Sequence, residues 1–150
     1  MTTIAEDRRV LDELCAGQHL AVLATDTGTG PYTNLVAFVA TPDLHQFYFV
    51  TPRTTRKWAH LEYNHQVALL IDNRHNNVSD FSQAAAATVL GAAEELQGAA
   101  KQSALDLYLE KHPNLAEFAG APGCALLRIM VNKIYLVNRF QHVTEYGFGS

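Results

Sequence analysis

Seven consecutive residues, Thr51-Pro52-Arg53-Thr54-Thr55-Arg56-Lys57, gather three cationic side chains and three hydroxyls. Ahead of them Phe47-Tyr48-Phe49-Val50 has the aromatic and β-branched content of a strand, and behind them Trp58 to Tyr63 reads as a helix. A helix start leaves N–H groups without intrahelical partners and presents partial positive charge, so an anion placed there gains hydrogen bonds and field together. Arg56 can grip a phosphate with two parallel bonds, Lys57 adds a point charge, and Thr51 and Thr55 can donate hydroxyl protons. The plainer account makes Thr54 or Thr55 a helix cap and leaves the cations on a solvated face. Against it, three of the eleven Lys and Arg fall between Arg53 and Lys57, in a chain with fifteen Asp and Glu and a net charge of −4. A local cationic knot suits a small anionic ligand, whereas nucleic acid needs an extended basic surface that this composition lacks.

Other chemistry finds less support in the spacing. The seven histidines contain no pair at helical ligand spacing, since His60 and His65 lie across a helix end and the rest stand singly. Glu94 and Glu95 are adjacent on an expected strand and point to opposite faces, so they cannot act together as acid and base. Gly28 and Gly30 lead into a strand rather than a helix, which is not the layout of a nucleotide-binding loop. Cys15 and Cys124 are too few and too far apart for a disulfide framework and read as reduced, buried thiols.

These residues must be positioned by a fold that 150 residues and a 48% hydrophobic content can build as one domain, residues 1–150. Thr3 to Glu6 reads as a capping box opening an amphipathic helix that ends at Gly17. His19–Thr25 and Tyr32–Val39 flank a turn containing Gly28 and Gly30, and His45–Val50 follows, which makes an antiparallel meander. Gln66–Asp72 is nearly all apolar and reads as a mid-sheet strand buried on both faces. The polar run Asn73–Asp80 reads as a loop, Ala84–Leu96 as a long strand, and Ala99–Lys111 as a helix, with Pro113 and the Gly120–Gly123 run ending the helical region. Cys124–Val137 is the final strand. Six strands with few helices predict a mainly β fold, a small antiparallel barrel closed to avoid open edges. No apolar run spans a membrane and no secretion signal opens the chain, so a cytoplasmic protein is expected, with no membrane partner.

From about His19 to Phe140 the chain resembles the FMN-binding split-barrel family related to pyridoxamine 5'-phosphate oxidase. The resemblance is carried by Phe49-Val50-Thr51 through Thr55-Arg56-Lys57, then Leu61, Asn64 and Val67-Ala68-Leu69-Leu70. It implies a six-stranded antiparallel split β-barrel that forms a homodimer with the cofactor at the subunit interface. Thr51, Thr55, Arg56 and Lys57 would then hold the FMN phosphate, and backbone groups of Asn34, Leu35, Val36 and Ala37 would face the flavin ring. Arg74 could reach across the dimer from its loop, or simply be solvated there. Gln141, beside Phe140, could pack on the partner's flavin or belong to an ordinary docked tail. The oxidase itself carries an Arg where this chain has Asn34, a Gln near Ala86, and a substrate-binding tail that has no counterpart here.

A flavin needs a dianion anchor, an apolar wall and a few backbone donors, because the redox chemistry belongs to the cofactor. The expectation is therefore an FMN-dependent oxidoreductase on a small-molecule substrate, distinct from the pyridoxamine phosphate oxidase proper. An electron carrier without a dedicated substrate, a deazaflavin in place of FMN, and a haem-binding relative with a lone axial His remain open.

Overall fold

A computed structural model of the chain describes residues 4–149. Thr3, and with it the expected capping box, lies outside the described residues. The strands are β1 (Leu20–Asp26), β2 (Pro31–Ala40), β3 (Gln46–Pro52), β4 (Gln66–Asp72), β5 (Ala86–Glu95), β6 (Cys124–Asn138) and β7 (His142–Gly147). The order is β3-β2-β1-β4-β5-β6-β7, and a further β3–β6 pairing, Gln46↔Met130 through Pro52↔Cys124, closes the first six into an antiparallel barrel. Closure depends on β6. Its fifteen residues give it one edge for β5 and another shared between β3 and β7.

Alternation along the strands fills the barrel with Leu23, Phe38, Phe47, Phe49, Leu69, Ile71, Val89, Ile129 and Ile134, all fully buried. The β1–β2 turn is made by Gly28 and Gly30 at φ 93° and 126°, left-handed angles that a Cβ would strain. β4 is mid-sheet as expected, between β1 and β5. It is not buried on both faces: Val67, Leu69 and Ile71 point inward, while Ala68 and Leu70 are only partly covered. The apolar composition of the second face comes from an uncovered barrel exterior rather than from a second layer.

Three helices of eight or more residues clothe the barrel: α1 (Ile4–Gly17), α2 (Arg56–Tyr63) and α4 (Gly98–Lys111). Leu11, Leu14 and Cys15 of α1 and Leu61 of α2 join the barrel core. Ala104 and Tyr108 of α4 cover the outer face of β2 and β3 in a second cluster with Val39, Tyr48 and Val50. Among the described residues no helix is long and apolar enough to cross a membrane. The short helices α3 (Asp80–Gln83) and α5 (Ala116–Ala119), and a 3-10 turn at Pro113–Leu115, were not expected. Pro113 therefore does not end the helical region; it opens another turn, a position where its missing N–H costs nothing.

β7 is the larger correction. His142–Gly147, expected to be tail, pairs with Asn138–Lys133, and the connecting residues Arg139, Phe140 and Gln141 all take positive φ (47°, 52° and 73°). Non-glycine residues seldom hold that conformation, so the turn must be fixed from outside. Asp7 of α1 does this. Its buried carboxylate accepts from Asn138 Nδ2 (3.3 Å), Arg139 Nη2 (3.1 Å) and Thr144 Oγ1 (3.3 Å), with His142 Nε2 at 3.4 Å. Burial alone would raise the Asp7 carboxyl, but the Asn138 hydrogen bond, the Arg139 charge and bond, and the His142 bond outweigh it and hold the group below the usual 3.8. A depressed carboxylate stabilises the fold above its unfolded value and loses that contribution as pH falls through the folded one. Asp7→Asn is therefore expected to cost about 1.5–3 kcal/mol at neutral pH, with the gap to wild type closing in acid. Urea unfolding at both pH values checks it; an equal deficit throughout would mean that the charge is immaterial.

Candidate functional site

The turn from β3 into α2 builds the cationic site. Thr55 is the N-cap of α2, extended at φ −86° and ψ 160°, and its Oγ1 accepts from Trp58 N at 3.2 Å. Its hydroxyl also donates to Pro52 O (3.0 Å) and lies 3.0 Å from Thr51 Oγ1, itself fully buried. Both hydroxyls thus hydrogen-bond within the turn, with Thr55 the cap that the plainer reading expects. They shape the helix start and leave the N–H groups of Arg56 and Lys57, which precede the first intrahelical bond, for an anion.

The three cations then separate. Arg53 turns away: it pairs with Glu95, donates to Pro122 O (3.1 Å) and Cys124 O (3.3 Å), and lies 5.6 Å from the Trp58 ring centroid. It fastens the turn to the ends of β5 and β6. Arg56 is exposed and rests 5.7 Å from the Tyr32 ring centroid. Lys57 is half-buried, and desolvation pushes its ammonium below the usual 10.5. Arg8, Arg53, Arg74, Arg128, Lys133 and Arg139 each reach a carboxylate. Among the described residues Arg56 and Lys57 do not, so two adjacent positive charges at a helix N-terminus stand without a counterion.

Beside them β2 has a free edge. β1 pairs with β2 from Pro31 to Ala37, but β3 pairs only with Phe38–Ala40. Phe38 N donates to His19 O, so the alternation of peptide groups turns those of Thr33, Leu35 and Ala37 away from β1, toward the split between β2 and β3. Ala37 O accepts from Tyr108 Oη at 3.4 Å. Of the four residues expected to face a ring, Leu35 and Ala37 offer peptide groups to the split, and the Leu35 side chain is 63% exposed on the barrel exterior. Asn34 and Val36 direct their peptide groups to β1. Val36 belongs to the core, whereas Asn34 points inward with Oδ1 buried and without a hydrogen-bond partner. An orphaned amide oxygen in that position costs stability unless a ligand or water reaches it.

Arg74 and Gln141 are not brought to the turn within one chain. Arg74 pairs with Asp72 at 3.0 Å and lines a groove of about 210 Å³ with Leu20, Val22, Leu35 and Leu70. Gln141 sits in the β6–β7 turn. Both lie at the opposite end of the barrel from α2, separated by the length of a seven-residue strand, about 20 Å. Sequence reasoning missed Tyr32, which supports Arg56 and meets His60 edge-on at 5.2 Å, and Thr25, whose Oγ1 lies 3.1 Å from His60 Nδ1. Thr25 and Tyr32 are cross-strand partners, so counting outward from the glycine turn would have placed them together.

Among the described residues no group of three or more His, Cys, Asp or Glu could hold a metal ion. The unpartnered cations at the helix N-terminus could hold an anionic group beside the free β2 edge. Residues 8–138 match the family model of pyridoxamine 5'-phosphate oxidase. No curated protein sequence matches the chain. Solved structures with the same fold include a heme binding protein from Mycobacterium smegmatis (TM-score 0.83, 14% identity), which covers 98% of this chain, while this chain spans only 59% of that one. A putative pyridoxamine 5'-phosphate oxidase from Listeria innocua (0.67, 14%) covers 88% of this chain and 98% of its own. A FAD-binding protein from Mesorhizobium loti (0.65, 17%) covers 90% and 94%. At these identities the likeness is one of fold, and the family rests on the sequence model and the split barrel together: the chain belongs to the pyridoxamine 5'-phosphate oxidase family.

Proposed function

We propose that the protein is an FMN-binding flavoprotein, a small cytoplasmic oxidoreductase acting on a small-molecule substrate as a homodimer. The observation that carries this reading is the uncompensated pair Arg56 and Lys57 at the start of α2, beside the unpaired edge of β2. Two positive charges match a phosphate monoester dianion, and a phosphate beside Lys57 would offset the desolvation that disfavours its ammonium. Leu35 and Ala37 would offer peptide groups to the ring, and the orphaned Asn34 amide would gain a partner. Bound flavin would supply hydride and electron transfer, so no side-chain acid or base is demanded of the chain.

Two features favour a dimer. Leu20 and Leu35 are 53% and 63% exposed on the barrel exterior, in a row with Val22 and Leu70. Arg74 and Gln141 lie at the wrong end of their own barrel and can join Arg56 and Lys57 only on a second copy related by a two-fold axis. Purified protein should therefore run at twice 16.5 kDa and take up FMN with a flavin spectrum, and Leu35→Glu should release monomers and lose the flavin together. A Soret band in place of the flavin spectrum would instead make it a haem protein. Uptake of deazaflavin but not FMN would change the cofactor while keeping the cradle. Oxidation of a nicotinamide donor by the FMN-loaded protein separates an enzyme from a carrier.

A further inference from the structure

A cleft of about 470 Å³ separates α1 from α4, remote from the cationic turn and independent of the flavin reading. Its walls are Cys15 and Ala16 on one helix and Leu107 on the other, and its floor is Val39, Ala40, Pro42 and Leu44 between β2 and β3. The volume lies within the range of small-molecule sites, and the lining is mostly apolar with one cationic group set into it, a common composition for such a site. That group is Lys111. Its Nζ donates to Cys15 O at 3.0 Å and lies 3.9 Å from the Phe38 ring centroid. An ammonium has three donors, and among the described residues one backbone carbonyl and one aromatic face are its only partners. Among the described residues no carboxylate pairs with it, although Asp12 and Glu110 also line the cleft. Asp12 is engaged with Arg8 at 3.0 Å, and Glu110 is exposed to solvent.

The floor carries a second signal. Leu44 is buried, bulky and held at φ 63°, fixed by Leu44 N donating to Thr41 O (2.9 Å) and by Asp43 bonding to Thr41 Oγ1 (2.7 Å) and His45 N (3.0 Å). Leucine seldom adopts this conformation, and here it places an apolar side chain at the base of the cleft.

We propose that the α1–α4 cleft binds a small apolar monocarboxylate, its hydrocarbon body on Val39, Leu44 and Leu107 and its carboxylate on Lys111. Burial pushes the Lys111 ammonium down to about 8. Burial likewise pushes the Cys15 thiol up to about 12, so it stays neutral. On the neighbouring side burial lowers His112, whose Nε2 meets Phe38 O at 2.7 Å with His19 against its ring. The free protein therefore loses its one positive charge in the cleft as pH rises past about 8.

Titration of the full chain with octanoate and with 1-octanol, followed by backbone amide shifts of Cys15, Val39, Ala40, Leu44 and Leu107, tests this. Octanoate should bind more tightly than octanol and weaken as pH rises past about 8, while octanol stays flat. Lys111→Met should weaken octanoate at least about tenfold, bring it level with octanol and leave flavin uptake unchanged, with Lys111→Arg restoring the preference. Leu107→Trp should block both ligands and keeps the test decisive if Lys111→Met fails to fold. Absence of octanoate binding, equal binding of acid and alcohol to wild type, or full octanoate affinity in Lys111→Met overturns the proposal.

Discussion

Replacing Arg56 and Lys57 together with alanine is expected to weaken FMN binding by about a hundredfold to ten-thousandfold while leaving the cofactor-free fold as stable as before. The affinity loss follows from two charge-assisted contacts worth about 1.5–3 kcal/mol each, at tenfold per 1.4 kcal/mol. The unchanged stability follows from what the two side chains do in the free chain. Among the described residues Arg56 rests on the Tyr32 ring without a hydrogen bond or ion pair, and Lys57 is half-buried with its charge disfavoured. Removing Lys57 relieves desolvation, so the unfolding midpoint should hold or rise slightly. Sites built for ligands commonly carry such strain at the expense of stability. Arg53→Ala supplies the contrast: it breaks the contacts to Glu95, Pro122 O and Cys124 O, so it should lower the midpoint with much less effect on FMN. Fluorescence titration of FMN against each variant, with urea unfolding of the free proteins, separates the two roles. Equal affinity in wild type and the double variant would end the phosphate assignment.

That three neighbouring cations have different fates shows where sequence reasoning reaches its limit. Local signals served well for the turn: the strand, the capping threonine and the helix are set within a dozen residues, and Thr55 caps α2 as its type and position require. The six barrel strands and the long helices were equally legible, because period-two alternation and glycine turns are short-range features. Arg53 was not, since the groups that claim it, Glu95, Pro122 and Cys124, lie far along the chain and come near only when β6 closes on β3. β7 escaped notice for a different reason. It pairs with β6 alone and has largely exposed side chains, so it lacks the apolar alternation that marks a half-buried strand. The Asp7 carboxylate, which fixes its turn, stands at the other end of the sequence. The cleft around Lys111 was invisible on the same grounds, being assembled from α1, the β2–β3 turn and α4.

Gly91→Ala is expected to be the most damaging single substitution for the fold, although it adds one methyl group. Gly91 has no left-handed angle to protect; what excludes a side chain is the approach of β6. A Cβ built there would lie 2.2 Å from Met130 O and 2.8 Å from Ile129 Cγ2. The first of these is backbone and cannot step aside as a flexible side chain does. Leu90 faces Lys133 while Gly91 faces Val131, so Asn132 is an extra residue in β6 at this point. The bulge is where β6 changes partners: Cys124–Met130 closes the barrel on β3, and Lys133–Asn138 carries β7, with Asn132 O accepting from Phe148 N at 2.8 Å. Forcing β5 and β6 apart would strain both pairings at once. Overpacking alone typically costs about 1–3 kcal/mol, and a backbone clash at the bulge where β6 changes partners should reach or exceed about 3 kcal/mol. The cationic turn depends on the same strand, since Pro52 pairs with Cys124 at the start of β6. Gly91→Ala should accordingly lower the urea midpoint sharply and weaken FMN through loss of the closed barrel, whereas Gly123→Ala, where an added Cβ meets nothing, should do neither. An unchanged midpoint in Gly91→Ala would mean that β5 and β6 do not meet this closely in solution.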